Sequence, residues 1–404
     1  MASQRDRVAL RPEQATIPPG HPWNRLPVIG AAAGLLGAAG CAIAGAANPR
    51  QFFFSWLVSF LFFLSLALGA LFFVLIQWAS QGSWGIVLRR IGETAFATLP
   101  VMAVLFVPLV FGLRDLYSWS VPGAAEHDAL LRWKAPFLNV SFFLIRAAIY
   151  FVCWSAIAVL YYRLSRGQDT TGDPAVSARL RTLAGPAIIV LALTQTFASI
   201  DWIVSLTPHW YSTMFGVYFF AGSFVGSIAL LSVVTPAMRR AGLLETVITA
   251  EHLHDIGKFL FAFTAFWAYI AFSQFFLIWY ANLPEETIWY KARLEGSWRI
   301  VSLLLMAGHF GVPFFFLMGR AVKRKALTLA LGGVWLLAMH FMDLYWQVMP
   351  TLHPEGVRPA LLDVAAFVAI GGCFVAVTGW LMRRQALVPL RDPRLAESLA
   401  FENA

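Results

Sequence analysis

Apolar runs of about twenty residues, divided by short polar breaks, recur along almost the whole chain, and a helix of that length covers roughly the 30 Å of a bilayer's hydrocarbon core. The breaks fall at proline, glycine and charge: Asn48-Pro49-Arg50, Gln81-Gly82, Thr171-Gly172-Asp173-Pro174, Thr207-Pro208, Pro284-Glu285-Glu286 and His353-Pro354. The pattern predicts an all-α polytopic membrane protein with ten transmembrane helices, over 27–47, 51–79, 93–113, 139–163, 181–204, 211–237, 255–282, 299–319, 326–349 and 360–382. It divides into an amino-terminal segment 1–26, a ten-helix membrane domain 27–382 and a carboxy-terminal tail 383–404, with no soluble domain. The longest extramembrane stretches are 114–138 and 283–298 on one side, and 164–180 and 238–254 on the other. The first span, GAAAGLLGAAGCAIAGAA, is rich in small residues, which suits a helix packed closely against another helix or a partner subunit.

Basic residues segregate by side. The amino terminus, the loops after helices 2, 4, 6 and 8 and the carboxy terminus carry 21 of the 30 Lys and Arg, among them Arg5, Arg7, Arg11, Arg89, Arg90, Arg239 and Arg383. The opposite side carries 8, and Arg146 sits within a span. By the positive-inside rule both termini are cytoplasmic. A different helix count would scramble this segregation.

Composition agrees: 59% of residues are hydrophobic and 13% charged, against about 25% charged in a soluble domain. The start, MASQRDRVALRPEQATIPPG, is polar and basic with no A-x-A cleavage site, so no signal peptide is expected. Cys41, Cys153 and Cys373 lie on three different apolar segments without CxxC or CxxCH spacing. That pattern offers no holder for covalent haem, an iron–sulfur cluster or zinc in this chain. With no basic stripe on a soluble domain, no nucleic-acid partner is expected either.

Ionisable residues inside membrane helices are costly and mark candidate chemistry. Taking 1.5 Å per residue, Arg146 lies about 10 Å below the outer boundary. Asp201 falls near the outer end of helix 5, His309 near mid-membrane on helix 8, and His340 and Asp343 in the outer half of helix 9. His340 and Asp343, three apart, share a helix face. These five cannot all face lipid, and one internal polar network is the expected arrangement. Two readings stand: a proton or quinone-headgroup site, to which imidazole is suited by its pKa, or a buried salt bridge from Arg146 to Asp201 or Asp343 that ties helices together. A second group, Glu251, His252, His254, Asp255 and Lys258, opens helix 7. It is either helix-end charge pairing or an inner proton mouth, with Thr264, Tyr269, Ser273 and Gln274 as hydrogen-bonding steps beyond it. Glu285 and Glu286 follow Pro284 at the outer end of helix 7. They belong to a solvated loop, a proton exit or a docking surface for a periplasmic partner.

Two segments carry more specific information: DWIVSLTPHWYSTMFGVYFFAG at 201–222 and HDIGKFLFAFTAFWAYIAFSQFFLIWYANLPEET at 254–287. In these the chain resembles the integral membrane subunits of the NrfD/polysulfide reductase type. It is most similar to the smaller of the two such subunits of bacterial alternative complex III, the F subunit. The resemblance is dense over about 195–300, and elsewhere rests on helix count and length. It implies two four-helix bundles, helices 2–5 and 6–9, with helices 1 and 10 peripheral. It also implies a non-redox, cofactor-free subunit of a quinol:cytochrome c or quinol:oxygen assembly in the bacterial inner membrane. The implied partners are a larger related subunit, multihaem and monohaem c-type cytochromes, an iron–sulfur protein, lipids and a terminal oxidase. Haem c and iron–sulfur clusters would belong to those partners, and quinone to the complex. In this family the larger paralogue is the better candidate for quinol oxidation, and the smaller is proposed to conduct protons. Carried over by motif, the functional positions are Asp201, His209, Asp255, Lys258, Glu285 and Glu286. Competing classes are a stand-alone secondary transporter, given Pro100 and Pro108 in helix 3 and Gly308, Gly311 and Pro313 in helix 8, and a purely structural membrane anchor.

Overall fold

A computed structural model describes Leu10 and residues 12–403. Arg5, Arg7 and Arg11 lie outside the described residues. Among those described, ten helices are long and apolar enough to cross a membrane: α1 Pro22–Ala47, α2 Pro49–Ser80, α3 Ile86–Phe111, α4 Val140–Thr171, α5 Pro174–Leu206, α6 Phe215–Arg240, α7 Ala250–Ala281, α8 Trp298–Met318, α9 Ala326–Thr351 and α10 Leu361–Arg383. The chain is an all-helical, multi-pass membrane protein, with no strand among the described residues.

Local sequence sets the helix ends. The Asn48 side chain accepts the Gln51 amide ahead of Pro49, Asn139 accepts that of Phe142, and Asp173 accepts that of Ala175 beside Pro174. Each satisfies a backbone donor that a helix start leaves free. Gln81 and Asn282 close α2 and α7 in left-handed conformation.

Several helices outrun their apolar stretches. α4 continues to Thr171 and α5 starts at Pro174, so most of the expected loop 164–180 is a helical hairpin broken at Gly172 and Asp173. The polar residues there extend the helices beyond the point where hydropathy falls. α3 begins at Ile86 rather than 93 because Arg89, Arg90 and Glu93 are buried helical residues, not loop residues. The stretch 283–298 contains a further helix, Pro284–Leu294.

α2 and α6 form the centre. α2 packs against α3, α5, α6, α9 and α10, and α6 against α5, α7 and α9 as well. α1 lies along α10 through facing small residues. A methyl added at Gly30 would stand 2.5 Å from the Ala376 nitrogen, and one at Gly372 would stand 2.6 Å from the Gly30 carbonyl. Such near backbone contact is what small residues permit between membrane helices. The small-residue face of the first span is therefore covered by this chain's own last helix.

The segment before α1 meets the one after α10, where the Leu387 amide donates to the Ala15 carbonyl at 2.6 Å. The tail after α10 is packed rather than free: Asp392 pairs with Arg89, and the Ser398 carbonyl meets His252 Nε2 at 3.0 Å.

Candidate functional site

The ionisable residues expected in one network separate into two. In the first, α4 presents Arg146 and α5 presents Asp201. The guanidinium holds the carboxylate through two bonds, Nε to Oδ2 at 2.8 Å and Nη2 to Oδ1 at 2.7 Å. Arg146 also donates to the Phe137 carbonyl at 2.9 Å, and the Tyr150 hydroxyl donates to Asp201 at 2.7 Å. Both charges are buried and paired, which is the salt-bridge alternative realised between α4 and α5.

The second site lies where α6, α7, α8 and α9 meet. Asp343 of α9 is buried, and no basic side chain is within ion-pair distance of it among the described residues. Its donors are neutral: the Tyr218 hydroxyl from α6 on Oδ1 and Trp267 Nε1 from α7 on Oδ2, the latter at 3.3 Å. Trp267 also stacks on His309, ring centroids 3.7 Å apart, so one indole touches both the carboxylate and an imidazole.

Backbone geometry places His309. Residues Met306–Gly311 form a π-helical turn within α8, and Pro313 follows without an N–H to donate. Such turns carry one extra residue and often sit at functional positions. Trp335 Nε1 donates to the Gly308 carbonyl at 2.6 Å, giving that carbonyl a partner from α9. The turn aims His309 inward, where both ring nitrogens are buried without a hydrogen-bond partner.

One turn from Asp343, His340 Nε2 meets the Ser65 hydroxyl of α2 at 2.7 Å, while Nδ1 is unpartnered. Gly222 and Gly226 of α6 make room for its ring. A methyl at Gly226 would stand 2.8 Å from His340 Cδ2, and one at Gly222 would stand 3.1 Å from Cε1. A carboxylic acid, two imidazoles and a tyrosine hydroxyl are thus buried together in the protein interior. They are groups that exchange protons, and among the described residues no basic side chain is ion-paired with the acid.

An aromatic and polar patch lies beyond this cluster. Phe215 contacts both Tyr218 and Trp289, at centroid distances of 5.9 and 6.3 Å. Next to Trp289, the Tyr290 hydroxyl accepts from Gln274 at 3.1 Å, and Gln274 accepts from the half-buried Ser212 at 2.9 Å. Arg293 is buried there too, donating to the carbonyls of Trp289, Trp346 and Gln347. Burial lowers its pKa to about 9.

The other expected positions do not join this cluster. His209 lies at the surface, 2.7 Å from Asp128. Tyr269 is 66% exposed, on the outward face of α7, so it is no step between the two ends of that helix. Asp255 pairs with Lys258 at 2.5 Å, and Glu251 with Arg324 at 2.5 Å, which is charge pairing at a helix start. Glu285 and Glu286 occupy the first turn of Pro284–Leu294, where the helix dipole favours acids.

A third group, near the end where α3 begins, has no signal in the sequence. Glu93 accepts from Ser165 and lies within 3.7 Å of Arg89 and 3.4 Å of Arg90, while Arg90 reaches Asp169 at 2.7 Å. Its members come from α3, α4 and the tail, so adjacency in sequence could not reveal it. Tyr218 and Trp267 were missed as well, being indistinguishable from the aromatic residues that fringe every span. The Gly222 and Gly226 pair, four apart on α6, was the available signal. No protein-family model matches the chain, and no curated protein matches it.

Proposed function

We propose that this chain is a cofactor-free membrane subunit of a respiratory quinol-oxidising assembly of the alternative complex III kind, and that it moves protons through the α6–α9 cluster. The observation that carries the proposal is Asp343, a buried carboxylic acid with neutral donors only, beside two imidazoles with free ring nitrogens. A lone ion at such depth costs at least about 2.5 kcal/mol, so an acid retained there without a counter-charge is best understood as one that takes up and releases a proton. The hydrogen-bonded run Tyr290, Gln274 and half-buried Ser212, which begins beyond Tyr218, would serve as the outer leg of that proton's path. The Arg146–Asp201 pair has the opposite character and serves to join helices.

The rest of the reading follows the resemblance at 201–222 and 254–287. Helices α2–α5 and α6–α9 form two four-helix bundles. The side rich in Lys and Arg, with both termini, faces the cytoplasm of a bacterial inner membrane. Haem and iron–sulfur clusters reside in neighbouring cytochrome and iron–sulfur subunits, and a larger related subunit oxidises quinol.

The test is Asp343→Asn in the assembled complex, reconstituted in liposomes. The expected result is normal assembly with proton output per electron reduced at least several-fold. Unchanged proton output and turnover from an assembled Asp343→Asn complex would refute the proton role.

A further inference from the structure

A large apolar cavity, about 1070 Å³, separates the α1–α10 pair from α2, α3, α6 and α9. Its position along each helix is uneven. α1 contributes Trp23 to Ala33, α3 contributes Ile91 to Ala95, and α6 contributes Ser227 to Ala237. On all three helices these are the segments toward the end that bears the termini. Three of its walls thus lie toward that end, while α2 (Phe62 to Ala70) and α9 (Leu337 to Phe341) line it near mid-helix. α10 lines it along nearly its whole length, from Met382 to Asp363, and keeps α1 against itself through the small-residue seam.

Such a space is predominantly apolar and too large to be a packing defect: a dry engineered cavity measures about 150 Å³, and pockets for small ligands about 300–1,000 Å³. Hydrocarbon chains suit it. The charge at its rim identifies their headgroup. Ala237 lines the cavity and Arg240 follows at i+3; Gly379 lines it and Arg383 follows at i+4. Both arginines therefore follow one turn beyond the cavity on the helix faces that line it. Arg25 adjoins two more lining residues, Trp23 and Leu26. All three arginines are exposed, and none is in an ion pair among the described residues. Trp23 supplies the indole that commonly sits at headgroup level.

We infer that this cavity is a binding site for one anionic glycerophospholipid, its acyl chains between the α1–α10 pair and the helical core and its phosphate on Arg25, Arg240 and Arg383. Basic pockets between membrane helices bind anionic lipid headgroups by this combination of charge and apolar depth. The lipid would act as a wedge that holds α1 and α10 at a fixed distance from α3 and α6. The inference does not depend on the proton role of Asp343.

The test uses the full-length chain in nanodiscs of equal phosphatidylglycerol and phosphatidylethanolamine, re-extracted into detergent, with retained lipid counted by mass spectrometry. The expected result is about one phosphatidylglycerol per chain. Arg240→Ala with Arg383→Ala should lower that retention at least tenfold. Val234→Trp, which keeps every charge but puts an indole in the space the acyl chains would occupy, should lower it as well. Thermal unfolding of each variant establishes that it is folded, and the exposed arginine positions make that the expected outcome. Equal retention of both lipids, retention unchanged in either variant, or recovery of an isoprenoid quinone in place of phospholipid would overturn the inference.

Discussion

Replacing Arg146 by methionine should be among the most damaging single changes in this protein, and the structure gives the size of the effect. The guanidinium makes two charge-assisted bonds to Asp201 and one bond to the Phe137 carbonyl, in a site where Asp201 is fully buried. Removing one partner of a buried pair strands the other charge and costs about 3–5 kcal/mol. At 1.4 kcal/mol per factor of ten, this is roughly a hundredfold to several thousandfold in the folded-to-unfolded ratio. The second substitution distinguishes a stranded charge from lost packing. Asp201→Leu added to Arg146→Met removes the orphaned carboxylate, and apolar replacement of both partners is often neutral or better. The half-buried Phe137 carbonyl loses its donor, and the larger remaining cost is the buried Tyr150 hydroxyl, which loses its acceptor at about 1–3 kcal/mol. The double variant should therefore be more stable than Arg146→Met alone, and Tyr150→Phe added to it should recover most of the remainder. Unfolding by denaturant in mixed micelles measures all of these on one scale. If Arg146→Met proves as stable as the parent, or if the double variant is no better than the single, the buried pair does not tie α4 to α5 energetically.

Gly372→Ala should destabilise the protein by about 1–3 kcal/mol through overpacking, because the added methyl would stand 2.6 Å from both the Gly30 carbonyl and Gly34 Cα. Gly185→Ala, on α5 with nothing within 4 Å, should instead gain up to about 1 kcal/mol from helix propensity; a melting-temperature comparison that gave both the same sign would contradict the packing assigned to α1 and α10. Asp128 caps the helix Ala129–Lys134, and the Leu131 amide, with further help from His209 and Leu130, holds its carboxyl below the usual carboxylate range. The folded form thus gives up this proton more readily than the unfolded form, so its contribution is present above the ordinary carboxylate pKa and fades as pH falls through the lowered value. Hydrogen exchange at the Leu130 and Leu131 amides, corrected for intrinsic rate, should accelerate as pH drops from about 5 to about 2, and Asp128→Asn should flatten that dependence. PH-independent protection in the parent would contradict the capping role.

Hydropathy alone marked out ten helices long and apolar enough to cross a membrane, because a helical span must be a long apolar run whatever its neighbours are. Proline, asparagine and aspartate at the breaks marked where several helices start, since capping depends on residues within a turn of one another. Helix ends were misjudged where the signal was polarity rather than conformation. α3 extends through Arg89, Arg90 and Glu93, and α4 runs to Thr171, because buried partners or a projecting hairpin accommodate charges that hydropathy assigns to loops.

Tertiary structure decided which acid meets which cation. Depth along the helices placed Arg146, Asp201, His309, His340 and Asp343 in one half of the membrane but carried no information about rotation or neighbours. Rotation gave Asp201 its arginine and left Asp343 with Tyr218 and Trp267. It also turned Tyr269 outward, brought Asp392 of the tail to Arg89, and laid the glycines of α1 on α10 rather than on another protein. Depth is a property of one helix and can be counted along a sequence; partnership belongs to pairs of helices far apart in the chain, and only their packing fixes it.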